Sequence, residues 1–266
     1  MTRLPSQYWA DLSTDEIAAA DRDATVVILP VGAVEQHGPH LPLGVDAMLN
    51  KGLVRETLGR LPDGFPILVL PPMPIGWSEE HGAFSGTLSV SSETLIAAWC
   101  EIGEGVAASG FRRLVIFNSH GGQSEIAKIV SRKLRIAHDM LAVAANWYAL
   151  VDLAEVFGEE ERRYGIHAGA IETSMMMHLF PGSVRTEKIA DFEPSSVEMS
   201  RTYRHLGPTG ATPFGWMTQD LHESGAVGNA READVRKGKL IVEKTAAAFV
   251  ELLQDVAAFD LTALKK

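Results

Sequence analysis

Three short stretches hold most of the side chains able to bind a metal or move a proton. The first runs Val31-Gly32-Ala33-Val34-Glu35-Gln36-His37-Gly38-Pro39-His40-Leu41-Pro42-Leu43-Gly44-Val45-Asp46. It places a Glu, two His and an Asp within twelve residues. Glu35 and His37 stand two apart, and in extended backbone side chains at that spacing point the same way. Two Gly and two Pro then shape a fixed turn, after which Asp46 opens a helix and can reach back. The plainer reading is a charged loop ending in a helix cap. The density of donors argues against it.

The second stretch is Asn118-Ser119-His120-Gly121-Gly122-Gln123. A histidine stands where an apolar run breaks, and two glycines let the backbone pass close to a ligand. Alone it could be an ordinary glycine turn. The third, His167-Ala168-Gly169-Ala170-Ile171-Glu172-Thr173-Ser174-Met175-Met176-Met177-His178-Leu179, puts Glu172 on a helical stripe with Met175, Met176 and Leu179. A carboxylate on an apolar stripe is costly to bury unless it is paired or bound to a cation. The competing reading is an acid placed to favour a helix N-terminus. His178 reads as packed or surface.

These donors are carboxylate and imidazole with no thiolate, a set that suits Zn, Mn or Fe(II). Their number suffices for two divalent ions. Paired ions lie about 3.5–4 Å apart and share a carboxylate and a water. Asp46 is the natural bridge, and such a site makes hydroxide available near pH 7. There is no Gly-x-Ser-x-Gly and no phosphate-binding loop ending in Lys-Ser/Thr. Two further runs, Trp77-Ser78-Glu79-Glu80-His81-Gly82 and Asn146-Trp147-Tyr148, follow apolar runs. Trp77, His81 and Trp147 are taken from them as substrate-binding candidates.

Short apolar runs alternate with helical periods and so must position these groups. Strands are expected over Thr25–Val31, Pro66–Leu70, Arg113–Asn118 and Leu141–Ala145. Helices are expected over Asp46–Leu61, from an N-cap at Ser91 or Ser92 to Ser109, over Ser124–His138 and roughly over Ala230–Phe259. Residues 181–228 are rich in Gly and Pro and read as loops, short strands and subunit contacts. Near-continuous apolar strands separated by helices indicate a parallel sheet covered on both faces. The expected class is a three-layer α/β/α sandwich with a mostly parallel central sheet, one domain over residues 1–266. Ligands of such sheets sit beyond the carboxyl ends of the strands, where all three stretches would then converge.

Composition agrees. The 266 residues are 46% hydrophobic and 22% charged, ordinary for a globular chain. A net charge of −10 without a basic stripe argues against nucleic acid or an anionic membrane as partner. The one cysteine, Cys100, permits no internal disulfide and reads as core. The N-terminus lacks an apolar signal core and no window is apolar enough to span a membrane, so a cytoplasmic enzyme is expected.

At VGAVEQHGPHLPLGVD, NSHGGQ and HAGAIETS the sequence resembles the creatininase family, the creatinine amidohydrolases, over nearly the whole chain. The resemblance implies an α/β/α fold, a two-metal site and hydrolysis of an unusual amide C–N bond. It implies Glu35 and His120 on one metal, His37 on the other, Asp46 bridging both, and His167 assisting proton transfer. It also implies a homo-oligomer, with a hexamer as one candidate. In one respect the sequence departs: true creatininases carry a ligating Glu where this chain has Gly122. Glu172 is the candidate replacement, so that His167 and Glu172 form the expected catalytic pair and Glu172 doubles as fifth ligand. The His-Gly-Gly form is closer to branches that include a formamide-cleaving deformylase and a peptidase trimming a redox-cofactor precursor. The leading expectation is a metal-dependent amidohydrolase acting on a small cyclic amide or formamide. The alternatives are a peptidase maturing a short modified peptide and a non-catalytic ligand-binding homologue.

Overall fold

The computed structural model describes residues 4–265. Four parallel strands form the sheet: β1 (Val26–Val31), β2 (Ile67–Val69), β3 (Arg113–Asn118) and β4 (Leu141–Asn146), in the order β2-β1-β3-β4. Val31 pairs with Asn118 and Asn118 with Asn146, so three strands end level. Every residue of β1, β2 and β3 is buried, which is why these runs are apolar on both faces. The helices are α1 (Thr14–Ala19), α2 (Val45–Leu58), α3 (Ser92–Ala108), α4 (Ser124–His138), α5 (Glu159–Tyr164), α6 (Ala170–Leu179), α7 (Ser195–Thr202), α8 (Thr218–Leu221) and α9 (Val235–Ala258).

The pleat sends alternate residues to opposite layers. Val26 and Ile28 of β1, with Val115 and Phe117 of β3, join Leu49 of α2, Met175 of α6 and Phe249 of α9 in one apolar layer. Val27, Leu29 and Ile116 join Trp99 of α3 and Val130 of α4 in the other, with Cys100 buried there. The three-layer α/β/α architecture read from the sequence is the one observed.

Element ends differ by a few residues. The last helix begins at Val235, where Asp234 caps it by accepting from the Arg236 and Lys237 N–H groups, while Ala230–Glu232 is a separate 3₁₀ turn. Residues 181–228 are mostly irregular, but they hold the helices α7 and α8 and a two-residue strand β5 (Asp191–Phe192). This strand pairs antiparallel with β6 (Gly228–Asn229). Among the described residues no helix is long and apolar enough to cross a membrane.

β1 connects outward to β2 on one side, and β3 to β4 on the other, so the chain reverses its direction of progress between β1 and β3. The diverging loops at such a point leave a crevice above the strand ends.

Candidate metal and active site

Loops leaving β1 and β3 are pinned at that crevice by buried polar side chains. Asn50 of α2 donates to the Val31 carbonyl at 3.0 Å and to the Phe117 carbonyl at 2.9 Å, tying both strand ends to one helix. Ser119 donates to the carbonyls of Asp46 at 2.8 Å and Val31 at 3.1 Å. Gln123 donates to the Gly32 carbonyl at 3.1 Å and to Asn118 Oδ1 at 2.9 Å. At Gly32 a Cβ would lie 2.9 Å from the Ala47 nitrogen, so only glycine lets the start of α2 approach β1 this closely. The approach brings Asp46, the second helical residue, over the strand ends.

There Glu35, His37, Asp46, His120 and His167 come together, all buried, with Glu172 at their edge. His120 Nδ1 lies 3.2 Å from Glu35 Oε1 and 3.7 Å from Asp46 Oδ2. His37 Nε2 lies 3.7 Å from Asp46 Oδ1 and 3.8 Å from Glu172 Oε2. Asp46 thus turns one oxygen to each histidine. Ala168, next to His167, has a positive φ of 54°, a conformation that costs a residue with a Cβ roughly 1–2 kcal/mol. It aims its N–H at Glu172 Oε2, 2.6 Å away.

The acceptors around each ring fix its tautomer, because a carbonyl oxygen only accepts. His37 Nδ1 donates to the Glu35 carbonyl at 3.0 Å, so Nε2 carries the lone pair. His120 Nε2 donates to the Trp77 carbonyl at 2.9 Å, leaving the lone pair on Nδ1. His167 Nε2 donates to the Gln36 carbonyl at 2.6 Å, leaving Nδ1 free 3.7 Å from Glu35 Oε1. His81 is the opposite case. Gln36 accepts from the Gly38 N–H and donates through Nε2 to Gly225 and, at 2.7 Å, to His81 Nδ1. His81 therefore carries its hydrogen on Nε2, 3.4 Å from Glu35 Oε1.

Neutral His37 and His120 consequently face carboxylate oxygens lone pair to lone pair. Both Glu35 oxygens, His37 Nε2 and Asp46 Oδ2 have no hydrogen-bond partner though fully buried. Only a proton or a cation reconciles such an arrangement. The titration directions say the same. Burial would depress His37, but Asp46, Glu172 and Glu35 outweigh it and raise its pKa to about 9. His120 is held well above its ordinary value against burial, by Glu35 first. Burial and the Glu35 carboxylate push Asp46 up to about 7. Burial would raise Glu35, but His120, His81 and His167 hold it well below the ordinary carboxylate range. Burial raises Glu172. Burial, with His37 and His81 nearby, keeps His167 neutral, its pKa well below the usual value.

A cavity of about 750 Å³ opens onto the cluster, lined among others by Glu35, His81, His120, Trp147, His167 and Glu172. His81 and Trp147 thus border it as expected. Trp77 does not: its side chain packs into the apolar layer of α3 and α4, and its carbonyl alone serves the site, through His120. Its ring turns inward from an irregular loop, which the loop composition did not reveal. Glu80 lines the cavity beside His120 and had no part in the donor set read from the sequence. Its signal was its position, next to His81 in the loop leaving β2.

Fold and donor cluster define a parallel α/β protein with a carboxylate–imidazole centre at its switch point. The creatinine amidohydrolase family model matches residues 10–253, and the chain belongs to that creatininase family of hydrolases. A mycofactocin precursor peptide peptidase of Mycobacterium ulcerans (strain Agy99) is 33% identical over 71% of this chain and 72% of its own length. The creatinine amidohydrolase of Pseudomonas putida is 28% identical over 90% of this chain and 91% of its own. A solved structure described as "Creatininase Mn" superposes with a TM-score of 0.75 at 26% identity, covering 94% of this chain and 98% of that one.

Proposed function

We propose that the protein is a metal-dependent amidohydrolase that binds two divalent ions, Zn, Mn or Fe, and cleaves an amide C–N bond. The observation that carries this reading is the set of buried lone pairs facing one another without partners. Glu35 and His120 would hold one ion, His37 and Glu172 the other, and Asp46 would serve both. The backbone carbonyls that fix His37 and His120 do what outer partners of metal-binding histidines do: they set the tautomer and the ring plane. When bound, the ions would polarise the scissile carbonyl and lower the pKa of the attacking water.

The remaining work falls to the chain. His167 is neutral with a free Nδ1 at the edge of the cluster, so it can accept a proton there and return it to the departing nitrogen. An amine leaves poorly unless protonated. The Gln36 carbonyl stabilises the imidazolium formed between the two transfers, because it already holds the Nε2 hydrogen. Glu172, raised by burial, stands ready as a second proton carrier where it is not engaged with the His37 ion. The cavity walls, with Trp147 buried and His81 aimed at Glu35, orient the substrate.

The substrate class we favour is a small cyclic amide or formamide, in keeping with the similarity to creatinine amidohydrolase. A second reading, a peptidase maturing a short modified peptide, draws support from the similarity to the mycofactocin precursor peptidase. The cavity, about 750 Å³, also has the room of a drug-sized ligand site. Assembly into a homo-oligomer is part of the proposal, and light scattering tests it. The central test is elemental analysis of the purified protein followed by turnover of formamide, lactam and short-peptide panels. We expect transition metal and hydrolysis in one panel. Protein without transition metal would remove the basis of the proposal, and turnover of peptides alone would select the second reading.

A further inference from the structure

We propose that Glu80 is a further donor to the ion held by Glu35 and His120, occupying the room that Gly122 leaves. The inference rests on the metal reading above. Glu80 lies in the short turn Glu79–His81 after β2, a place where an acid ordinarily points to water. Here its side chain is only 15% exposed, and its Oε1 lies 3.9 Å from His81 Nε2 and 3.5 Å from His120 Nε2, the nitrogen that gives its hydrogen to the Trp77 carbonyl, so any ion shared with His120 is reached on the Nδ1 side. The turn is anchored from α8, where the Thr218 hydroxyl donates to the Glu80 carbonyl at 3.0 Å. At Gly122 a Cβ would run into Glu80 Oε1 and lie 2.7 Å from His120 Nε2. A side chain at position 122 would therefore push the carboxylate of Glu80 out of its present place.

Three donors meet there. Glu35, Glu80 and His120 can each present a ligand atom with all three within 4.8 Å of one another. Both Glu35 oxygens are buried and unpartnered, so the cluster is more than a patch of acids. His37, Asp46 and Glu172 form a second group of the same kind, and Glu35, His37 and His167 a third that shares one member with each. Each ion thus gains its own outer carboxylate, Glu172 beside His37 and Glu80 beside His120, with Asp46 between. Glu172 then does not stand in for the carboxylate missing at Gly122. Glu80, arriving from a different loop, takes that place in space.

The test is metal content after dialysis of the holoenzyme against a weak chelator, with Zn²⁺ titration of the depleted protein, for wild type, Glu80→Ala, Glu80→Gln, Gly122→Ala and Glu80→Ala/Gly122→Glu. Wild type should keep both ions. Glu80→Ala should lose one, its Kd rising beyond the roughly 10–100-fold that loss of an outer partner costs. Gly122→Ala should reproduce that loss by displacing an intact Glu80. Both variants should keep their circular dichroism, and the double variant should regain the second ion. Wild-type retention of both ions in Glu80→Ala overturns the proposal, as does full rescue by Glu80→Gln, which would reduce Glu80 to a neighbour positioning His120. Wild type without bound metal would instead sink the metal reading itself, before any variant is compared.

Discussion

A histidine's role here is decided by which of its nitrogens a backbone carbonyl has already claimed. His37 and His120 give their hydrogens to the carbonyls of Glu35 and Trp77 and turn lone pairs inward. His167 does the same with Gln36, and its Nδ1 lies 3.7 Å from Glu35, with the rings of His37 and His81 beside it. Under the proposed function it moves protons rather than holding metal. His167→Ala should lower kcat by about 10²–10⁴-fold, the usual worth of general acid–base help, with metal content unchanged. Asp46→Ala should lose metal and turnover together. Steady-state kinetics alongside elemental analysis separates the two, and a His167→Ala enzyme that turns over normally would refute its role.

Elements enter through how closely they approach. The start of α2 lies against the end of β1 because Gly32 has no side chain, and Asp46 is carried into the site by that contact. The obstacle to Gly32→Ala is the backbone of Ala47 at 2.9 Å, which cannot rotate away. The substitution should cost about 1–3 kcal/mol of stability, as overpacking does, and weaken metal binding by shifting Asp46. Denaturant unfolding and Zn²⁺ titration of one preparation would measure both; unchanged metal affinity would mean that α2 has slack. Asn50→Leu attacks the same joint differently. It removes donors from the carbonyls of Val31 and Phe117, and leaving buried groups unsatisfied costs about 1–3 kcal/mol.

For the whole molecule the consequence is a stability that depends on metal and on pH. Metal that binds only the folded chain stabilises it by about 3–4 kcal/mol at 100–1,000 times its Kd. Chelation should therefore lower Tm, and returned Zn²⁺ or Mn²⁺ should restore it. The pH effect has a definite sign. His40 is buried, bonded through Nε2 to the Thr173 hydroxyl at 2.9 Å, with Nδ1 unpartnered. Burial, then the neighbouring His37, lowers its pKa to about 4. Unfolding releases it to bind a proton near pH 6.5. Its contribution is thus complete above pH 6.5 and is lost as pH falls from there to about 4. The loss amounts to about 3 kcal/mol at 1.36 kcal/mol per unit. Tm should fall across that window, and less steeply in His40→Gln. Equal slopes in the two proteins would show that His40 is not responsible.

Sequence alone was sufficient for the layered fold, because β1, β2 and β3 are buried on both faces and the helices on one stripe. Arg113–Asn118 and Ser124–His138 come out at the observed bounds for that reason. It was sufficient, too, for the convergence of Glu35, His37, Asp46, His120 and Glu172, since each motif sits at the carboxyl end of a strand or opens a helix beside it. What it could not decide was direction. The inward turn of Trp77, the tautomers of His81 and His167 and the arrival of Glu80 over Gly122 depend on contacts between segments far apart in the chain. Gln36 fixes His81 across 45 residues, and Gln36 in turn is fixed by Gly225, 189 residues away. Periodicity places a side chain on a face. Which atom of that side chain meets which partner is settled only when the loops of β1, β2 and β3 pack against one another above the sheet.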